Sequence, residues 1–193
     1  MIYLASRSPR RRALLDQLGV RFEILDVAID ETALGGEDAD ALVRRLAASK
    51  AQAGRASLDD PGAHLVLGAD TVVVIDDEVL GKPRNAAHAG DMLMRLSGRC
   101  HEVLSAVALV SADAIGIRLN RSQVGFRELA RDECQAYVAT GEPLDKAGAY
   151  AIQGRAAAFV SDLRGSYSGV VGLPLYETAE LLTEAGITLF ADY

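Results

Sequence analysis

Residues 2–19, IYLASRSPRRRALLDQLG, predict a strand, a loop and a helix in immediate succession. Ile2–Ala5 is apolar and has the length of a short strand. Ser8 and Pro9 are the residue types preferred at the N-cap and in the first turn of a helix, and this helix is expected to end before Gly19. Strand and helix signals are mixed along the rest of the chain too, with gaps of both crossover and hairpin length. The sequence therefore predicts an α/β fold with a mixed sheet.

The other elements follow from apolar periodicity and from the positions of turn residues. Strands are predicted over residues 21–25, 64–74, 78–80, 102–110, 117–126 and 157–163. Helices are predicted over residues 37–56, 85–96, 131–139 and from near 174 to 184.

The 193-residue chain is 50% hydrophobic and 24% charged, which excludes a disordered protein. No uncharged stretch approaches the ~18 residues of a membrane span, so no membrane is expected as a partner. The formal net charge is −7, which disfavours nucleic acid as a partner. Residues 1–21 nevertheless hold five arginines and one aspartate. Such a basic island in an acidic protein indicates a compact anionic ligand rather than a polymer.

The two cysteines, Cys100 and Cys134, form no CxxC motif, and no apolar run suited to a secretory signal follows the N-terminal arginines. A disulfide framework is therefore not expected, and a reducing compartment is. The sequence predicts a cytoplasmic protein.

A first candidate site lies at the start of the first helix. Ser6, Ser8, Arg10 and Arg11 surround a helix N-terminus, where free N–H groups and the helix dipole favour an anion. Charge-assisted hydrogen bonds from these side chains would hold a polyphosphate. In the alternative interpretation, Ser8 is only an N-cap and the arginines are solvated. A bound anion would offset the repulsion between the arginines and the dipole, which favours the phosphate loop.

Carboxylates form the second candidate site. Asp70 interrupts the apolar strand LGADTVVV, residues 67–74, and a buried carboxylate is costly unless it is paired or binds a cation. Asp30 and Glu31 follow the second predicted strand. Hard oxygen ligands beside a polyphosphate are the usual setting of Mg²⁺. The alternatives are that Asp70 caps a turn at a strand end and that Asp30 and Glu31 are solvated loop residues.

Two further segments are candidates for contact with a nucleotide. A glycine and a stiffening proline flank Lys82 in LGKPR, residues 80–84, which suits a lysine that binds a phosphate oxygen. In LDKAGAYAIQG, residues 144–154, small residues surround Tyr150 and Gln153, as in a wall that admits a planar ring. The glutamine amide has the donors and the acceptor to read a base edge. The alternatives are a plain turn and an ordinary irregular loop.

These four segments, in this order, resemble the Maf family of nucleoside triphosphate pyrophosphatases. The matching stretches span nearly the whole chain: LASRSPRRRALLDQLGV (4–20), IDE (29–31), ASKAQAG (48–54), LGADTVV (67–73), GKPRNAAHA (81–89), LSGRCHEVLSAVAL (96–109), EPLDKAGAYAIQG (142–154) and GSYSGVVGLPLYET (165–178).

The resemblance implies a single Maf-like domain over residues 1–193, with an elongated mixed β-sheet flanked by helices. It also implies two lobes with a central cleft, similar to inosine triphosphate pyrophosphatases. The implied reaction is hydrolysis of a nucleoside triphosphate between its α- and β-phosphates to the monophosphate and pyrophosphate. The implied cofactor is a divalent metal cation, Mg²⁺ or Mn²⁺.

Carried onto this sequence, Asp70 matches the family's proton acceptor. We expect Glu31 and Asp70 to hold the metal, and the sequence leaves open whether Asp70 is the base, a metal ligand or both. The positions that match the family's substrate-binding residues, or that belong to the same loop, are Ser6, Ser8, Arg10, Arg11, Lys50, Thr71, Lys82 and Gln153. Of these, the positions associated with substrate choice are Arg10, Thr71 and Gln153.

The segments DKAGAYAIQG and GSYSGVVGLP look like the branch that hydrolyses dTTP and UTP. Two alternatives stay open: the sister branch that prefers 7-methyl-GTP, and a nucleotide-binding regulator of cell division with little turnover. An enzyme is favoured because the full set of family positions is intact, namely Glu31, Lys50, Asp70, Lys82 and Gln153. A homodimer is an expectation from the family alone.

Overall fold

Seven β-strands form one mixed sheet in the computed structural model of the chain, which describes residues 1–60, 62 and 64–190. The strands are β1 (Ile2–Ala5), β2 (Phe22–Leu25), β3 (Leu65–Ile75), β4 (Glu78–Leu80), β5 (Cys100–Val110), β6 (Ile115–Phe126) and β7 (Val160–Arg164). Their order in the sheet is β2-β1-β3-β5-β6-β7, and β4 pairs with β3. β1 is parallel to β2 and β3, whereas the pairs β3–β4 and β6–β7 are antiparallel. The predicted α/β fold with a mixed sheet is confirmed.

Helices and short 3₁₀ turns connect most of the strands, whereas short turns join β3 to β4 and β5 to β6. The α-helices are α1 (Pro9–Asp16), α2 (Ala39–Ala56), α3 (Ala86–Leu96), α4 (Arg131–Ala139), α5 (Tyr167–Val171) and α6 (Leu175–Glu184). The 3₁₀ turns are Glu142–Asp145, Ala147–Ala149 and Arg155–Phe159. None of the helices in the described ranges has the length and apolar character needed to cross a membrane.

The chain divides into two compact units. Unit 1 takes its described residues from Met1–Asp70, Ser105–Asn120 and Gly172–Tyr193, and unit 2 consists of Thr71–Leu104 and Arg121–Val171. Three of the four boundaries fall inside β3, β5 and β6, so each of these strands contributes residues to both units, and the fourth follows α5. This division agrees with the two lobes expected from the sequence. The elongated shape and the central cleft stay predictions.

In unit 1, α2 lies against β1 and β3 because glycines leave room for its backbone. A Cβ on Gly68 would lie 2.3 Å from the carbonyl oxygen of Ala47 and 2.5 Å from the amide nitrogen of Ala51. A Cβ on Gly54 of α2 would lie 3.0 Å from the Cβ of Ala5 in β1. These close approaches fix α2 against the sheet, and with it the side chain of Lys50, which contacts Asp70 in the middle of β3.

Unit 2 has a core in which aromatic rings meet edge to face. His101, Phe126, Tyr137, Tyr150 and Phe159 form a chain of such contacts, with ring centroids between 4.9 Å and 6.1 Å apart. This arrangement is the one that aromatic quadrupoles favour. α3 and α4 pack around it with the buried side chains of β3 and β6.

The strand predicted over residues 157–163 is wrong in its first part. Residues 155–159 form a 3₁₀ turn, and β7 begins only at Val160. Ala156 and Phe159 are buried in this turn, and the carbonyl of Phe159 accepts a hydrogen bond of 2.9 Å from the amide of Arg127. The segment therefore gains burial and a backbone partner without joining the sheet there.

Helix α2 begins two residues later than predicted. The side chain of Asp38 accepts a hydrogen bond of 2.8 Å from the amide of Ala41, which makes Asp38 the N-cap and leaves Glu37 outside the helix. Helix α1 ends at Asp16, before the expected limit at Leu18. Helix α5 and the first two 3₁₀ turns are absent from the predictions, because sequences of three to five residues are too short to show helical periodicity.

We expect Gly68→Ala to destabilise the protein by about 3 kcal/mol, at the upper end of the range for overpacking. The added methyl group would meet two backbone atoms of α2, which cannot turn aside as a flexible side chain can. The midpoint of urea unfolding, followed by circular dichroism, measures this effect.

The matched control is Gly90→Ala in α3, where an added Cβ meets nothing within 4 Å. This change is expected to stabilise the helix by up to about 1 kcal/mol. Equal midpoints for the two variants would contradict the role given to Gly68.

Candidate active site

The loop between β1 and α1 is closed by its own two serines. Ser6 is buried, and its hydroxyl accepts a hydrogen bond of 3.2 Å from the amide of Ser8. Ser8 is the N-cap of α1 and accepts a longer contact of 3.4 Å from the amide of Arg11. The N-cap that the alternative interpretation proposed is therefore present. It is compatible with a phosphate loop, because the serines order the turn that presents the helix N-terminus.

The arginines of this loop do not form a uniformly solvated face. Arg12 is exposed, whereas Arg10 and Arg11 are half-buried. The Nε of Arg11 donates a hydrogen bond of 2.8 Å to the carbonyl of Gly172 in the same unit. Burial lowers the pKa of Arg11 from its ordinary value, and the nearby negative charges of Asp70 and Glu31 oppose that shift. An arginine remains charged under these conditions, so a fixed positive group lies close to the two carboxylates.

Lys50 connects the two predicted carboxylates. Its Nζ lies 2.6 Å from Oδ1 of Asp70 and 2.6 Å from Oε1 of Glu31. The Lys50 and Asp70 side chains keep only 12% and 11% of their exposure, whereas Glu31 keeps 49%. Asp70 is thus the buried, paired carboxylate that the apolar strand context predicts. Its backbone carbonyl also receives a hydrogen bond of 3.4 Å from the hydroxyl of Ser105.

The carboxylates of Glu31 and Asp70 converge on one cationic atom, the ammonium nitrogen of Lys50. Carboxylate oxygens that share one positive centre are the donor set that Mg²⁺ or Mn²⁺ takes, so these residues fit a divalent cation. In residues 1–60, 62 and 64–190, no group of three or more His, Cys, Asp or Glu side chains is placed to hold a metal ion. A cation held here would therefore draw its remaining ligands from phosphate oxygens or water.

Sequence reasoning missed the arginine that orders the loop of Glu31. Arg45 of α2 makes a bidentate contact with Glu37, at 2.6 Å and 2.7 Å, and donates to the carbonyl of Thr32 at 3.0 Å. The hydrogen bond from Arg45, followed by one from the amide of Leu34, lowers the pKa of Glu37 to about 2. The predicted helix over residues 37–56 included Glu37, whereas the contact between Arg45 and Glu37 depends on Glu37 lying before the N-cap, Asp38. The pair was therefore not predicted.

The remaining predicted site residues, Thr71, Lys82 and Gln153, lie in unit 2. Thr71 is half-buried, and Lys82 and Gln153 are exposed. The segments of Lys82 and Gln153 are linked within this unit, since the amide of Gly148 donates a hydrogen bond of 3.1 Å to the carbonyl of Gly81. Gly148 has φ +68°, and a Cβ there would lie 2.9 Å from a methyl group of Val73, so only glycine fits.

Tyr150 does not form the ring-admitting wall suggested by its small neighbours. It is buried, with 5% of its surface exposed, and its hydroxyl lies 2.9 Å from Nε2 of His101. Its ring also packs edge to face on Phe126. Tyr150 is therefore a core residue of unit 2 that supports the loop preceding Gln153.

The family model described as Maf-like protein matches residues 1–185 of the chain. The chain belongs to the Maf family. The family predicted from the sequence is thereby confirmed.

The chain is similar to curated proteins named dTTP/UTP pyrophosphatase. The one from Alkalilimnicola ehrlichii is 57% identical over 186 residues, which covers 95% of this chain and 92% of the relative. The one from Methylococcus capsulatus is 53% identical over 186 residues, which covers 96% of this chain and 91% of the relative. Among solved structures, a nucleoside-triphosphatase, dITP/XTP pyrophosphatase, from Mycobacterium abscessus aligns over 95% of each chain at 20% identity, with a TM-score of 0.46.

We expect Lys50→Met to destabilise the Maf protein by about 3 kcal/mol at pH 7, because it leaves the buried Asp70 carboxylate without its cation. The double variant Lys50→Met with Asp70→Asn should regain most of that loss, since neither member of the buried pair is then charged. Urea unfolding of the three proteins measures the difference.

Lys146→Met is the matched control for this cycle. The side chain of Lys146 is 14% exposed, close to that of Lys50, but its partner Asp145 is 67% exposed. Its loss should cost no more than about 1 kcal/mol. A cost for Lys146→Met as large as that for Lys50→Met would show that buried lysine stems, rather than the buried ion pair, carry the stability.

His101 makes the stability of unit 2 depend on pH. Burial lowers the pKa of His101 to about 4, from an ordinary value of 6.5. Between these values the unfolded chain binds a proton that the folded chain does not, so the unfolding free energy falls as the pH drops through this window. We expect His101→Gln, which cannot titrate there, to reduce the slope of stability against pH between 6.5 and about 4. The control is the half-buried His88→Gln in α3, and the same reduction in both variants would refute the assignment to His101.

Proposed function

We propose that this Maf protein hydrolyses dTTP and UTP between the α- and β-phosphates, releasing the monophosphate and pyrophosphate. The observation that carries the chemistry is the contact of Lys50 with both Asp70 and Glu31, beside the half-buried Arg11. The nucleotides come from the names of relatives that are more than half identical over nearly their full lengths. The chain acts as a single Maf-like domain over residues 1–193. The homodimer and the cytoplasmic location expected from the sequence stay predictions.

The triphosphate is bound by the loop between β1 and α1. Ser6, Ser8 and the free N–H groups of the first turn of α1 supply neutral donors, and Arg10 and Arg11 supply charged ones. The loop is ordered before the ligand binds, since Ser6 accepts from the amide of Ser8. Lys50 and Lys82 add compact positive charges, which suit individual phosphate oxygens better than a planar guanidinium does.

Glu31 and Asp70 would hold a divalent cation, Mg²⁺ or Mn²⁺. When bound, this cation neutralises charge on the phosphate oxygens and favours departure of pyrophosphate. The ammonium of Lys50 holds both carboxylates close together before the substrate arrives.

Asp70 is the general base. It is held at the end of the apolar half of β3 in unit 1, where Lys50 and the hydroxyl of Ser105 fix its side chain and backbone. Its carboxylate orients a water molecule and accepts its proton as the water oxygen attacks the α-phosphorus. The bond from the α-phosphorus to the bridging oxygen breaks, and the charge that develops on pyrophosphate is stabilised by Arg10, Arg11 and Lys82.

Thr71 and Gln153 bind the base, and Arg10 contributes to substrate choice. The exposed amide of Gln153 offers a donor and an acceptor side by side, which match the carbonyl oxygen and the ring N–H of uracil and thymine. Cytosine presents the reverse pattern on the same edge, an amino group beside an unprotonated ring nitrogen, so an amide held in one orientation would leave polar groups unpaired.

The test is pyrophosphate release by the purified protein with Mg²⁺ or Mn²⁺ and a panel of dTTP, UTP, CTP, GTP and 7-methyl-GTP. We expect turnover of dTTP and UTP that is lost in Asp70→Asn, because an amide cannot accept the proton. Asn keeps the shape of Asp, so the variant is expected to fold, which circular dichroism checks.

The possible outcomes separate the alternatives. A folded Asp70→Asn variant that stays active would remove Asp70 from the role of base. Preference for 7-methyl-GTP would keep the chemistry but reject the uracil and thymine assignment. Binding of nucleotides without any turnover would favour a regulator of cell division.

A further inference from the structure

Two side chains of unit 2 hold the backbone on both sides of Gln153. The amide of Ala151, before Gln153, donates a hydrogen bond of 3.2 Å to the hydroxyl oxygen of Tyr137. The amide of Arg155, after Gln153, donates to Oε1 of Glu142 at 3.0 Å. The Tyr137 hydroxyl in turn donates to the same Oε1 at 2.9 Å. One tyrosine and one glutamate therefore join the two ends of the five-residue segment 151–155.

The carboxylate of Glu142 also approaches the backbone of the segment closely at Gly154. A Cβ on Gly154 would lie 2.4 Å from Oε1 and 2.7 Å from Oε2 of Glu142, so the carboxylate lies directly against the backbone of the segment. Ala151 and Ile152 are buried, whereas Gln153 is exposed. The backbone is thus anchored while the glutamine side chain extends into solvent.

The two anchoring side chains are themselves fixed. Tyr137 lies in α4, is 5% exposed and packs edge to face on Phe159. Burial, together with its hydrogen bond to Glu142, raises the pKa of Tyr137, so the phenol keeps its proton and remains a donor. The amide of Glu142 donates to the hydroxyl of Thr140 at 3.2 Å, which sets the start of its 3₁₀ turn.

We propose that Tyr137 and Glu142 are positioning residues that hold the amide of Gln153 in the orientation that selects uracil and thymine bases. This inference rests on the proposed function, in which Gln153 reads the base. Neither residue contacts the nucleotide; both act through the backbone of residues 151–155. Releasing one anchor lets the amide of Gln153 turn, and the site then accepts cytosine more readily.

The experiment compares kcat/KM for UTP and CTP in the whole protein and in Tyr137→Phe, which removes one oxygen atom. We expect the UTP-to-CTP ratio to fall about tenfold, equivalent to about 1.4 kcal/mol, while kcat for UTP changes little. Hydrogen exchange of the Ala151 and Arg155 amides, followed by NMR, should become faster in the same variant. The matched control is Tyr176→Phe, an exposed tyrosine of α6 that also bonds a glutamate, Glu180, and should change neither quantity.

Two variants of Glu142 distinguish a specific loss of positioning from a general loss of stability. Glu142→Gln keeps an oxygen that can accept from both Tyr137 and the amide of Arg155, so it should retain most of the selectivity. Glu142→Ala removes both contacts and should lose selectivity as Tyr137→Phe does. The proposal would be overturned if the UTP-to-CTP ratio of these variants followed their stability in urea and not the presence of an acceptor oxygen at position 142.

Variants in a Gln153→Ala background separate the positioning role of Tyr137 from the base-reading role of Gln153. Gln153→Ala should lower the ratio by itself, and adding Tyr137→Phe should then lower it no further. If Gln153→Ala lowers the ratio and Tyr137→Phe alone does not, the positioning role is wrong and the proposed function stands. If Gln153→Ala leaves the ratio unchanged, the base-reading role of Gln153 fails, and the positioning role fails with it.

Discussion

The ammonium nitrogen of Lys50 lies 2.6 Å from a carboxylate oxygen of Asp70 and 2.6 Å from one of Glu31, and much of unit 1 is arranged around these contacts. A buried aspartate in an apolar strand is tolerated because Lys50 forms an ion pair with it. Lys50 reaches it because α2 lies directly on β3, where Gly68 has no side chain to hold the helix away. One cation therefore ties together a helix, a central strand and a loop.

Much of this arrangement can be predicted from the sequence because local signals and the family pattern agree. The serine–proline pair marks the start of α1, and the structure places α1 at Pro9 with Ser8 as its cap. The interruption of β3 by an acidic residue predicts a paired carboxylate, and Asp70 is paired with Lys50. Such residues are recognisable because a costly feature, a buried charge or a run of arginines at a helix start, needs a compensating partner.

The parts that escaped prediction depend on contacts between residues distant in sequence. The small residues around Tyr150 suggest an open wall, whereas three-dimensional packing buries this ring against His101 and Phe126. The turn over residues 155–159 gives up strand pairing because Phe159 is buried and its carbonyl is bound by Arg127. The contact between Arg45 and the loop of Glu31 could not be predicted. It depends on Glu37 lying before α2, and the predicted helix began two residues too early to allow that.

The parallel pairing of β1 determines how late in synthesis the arginine-rich segment that follows it can reach its final position. Ile2 pairs with Phe22 of β2 on one side and with Leu65 of β3 on the other, so one edge of β1 stays unpaired until β3 has been made. Pairing over such a sequence distance is slow, because the loop must close before any contact is gained. Arg11 thus leaves the ribosome well ahead of Asp70, whose negative charge lies close to it in the folded protein. Until β3 has formed, this arginine-rich segment lacks the buried carboxylate beside which Arg11 lies in the folded protein.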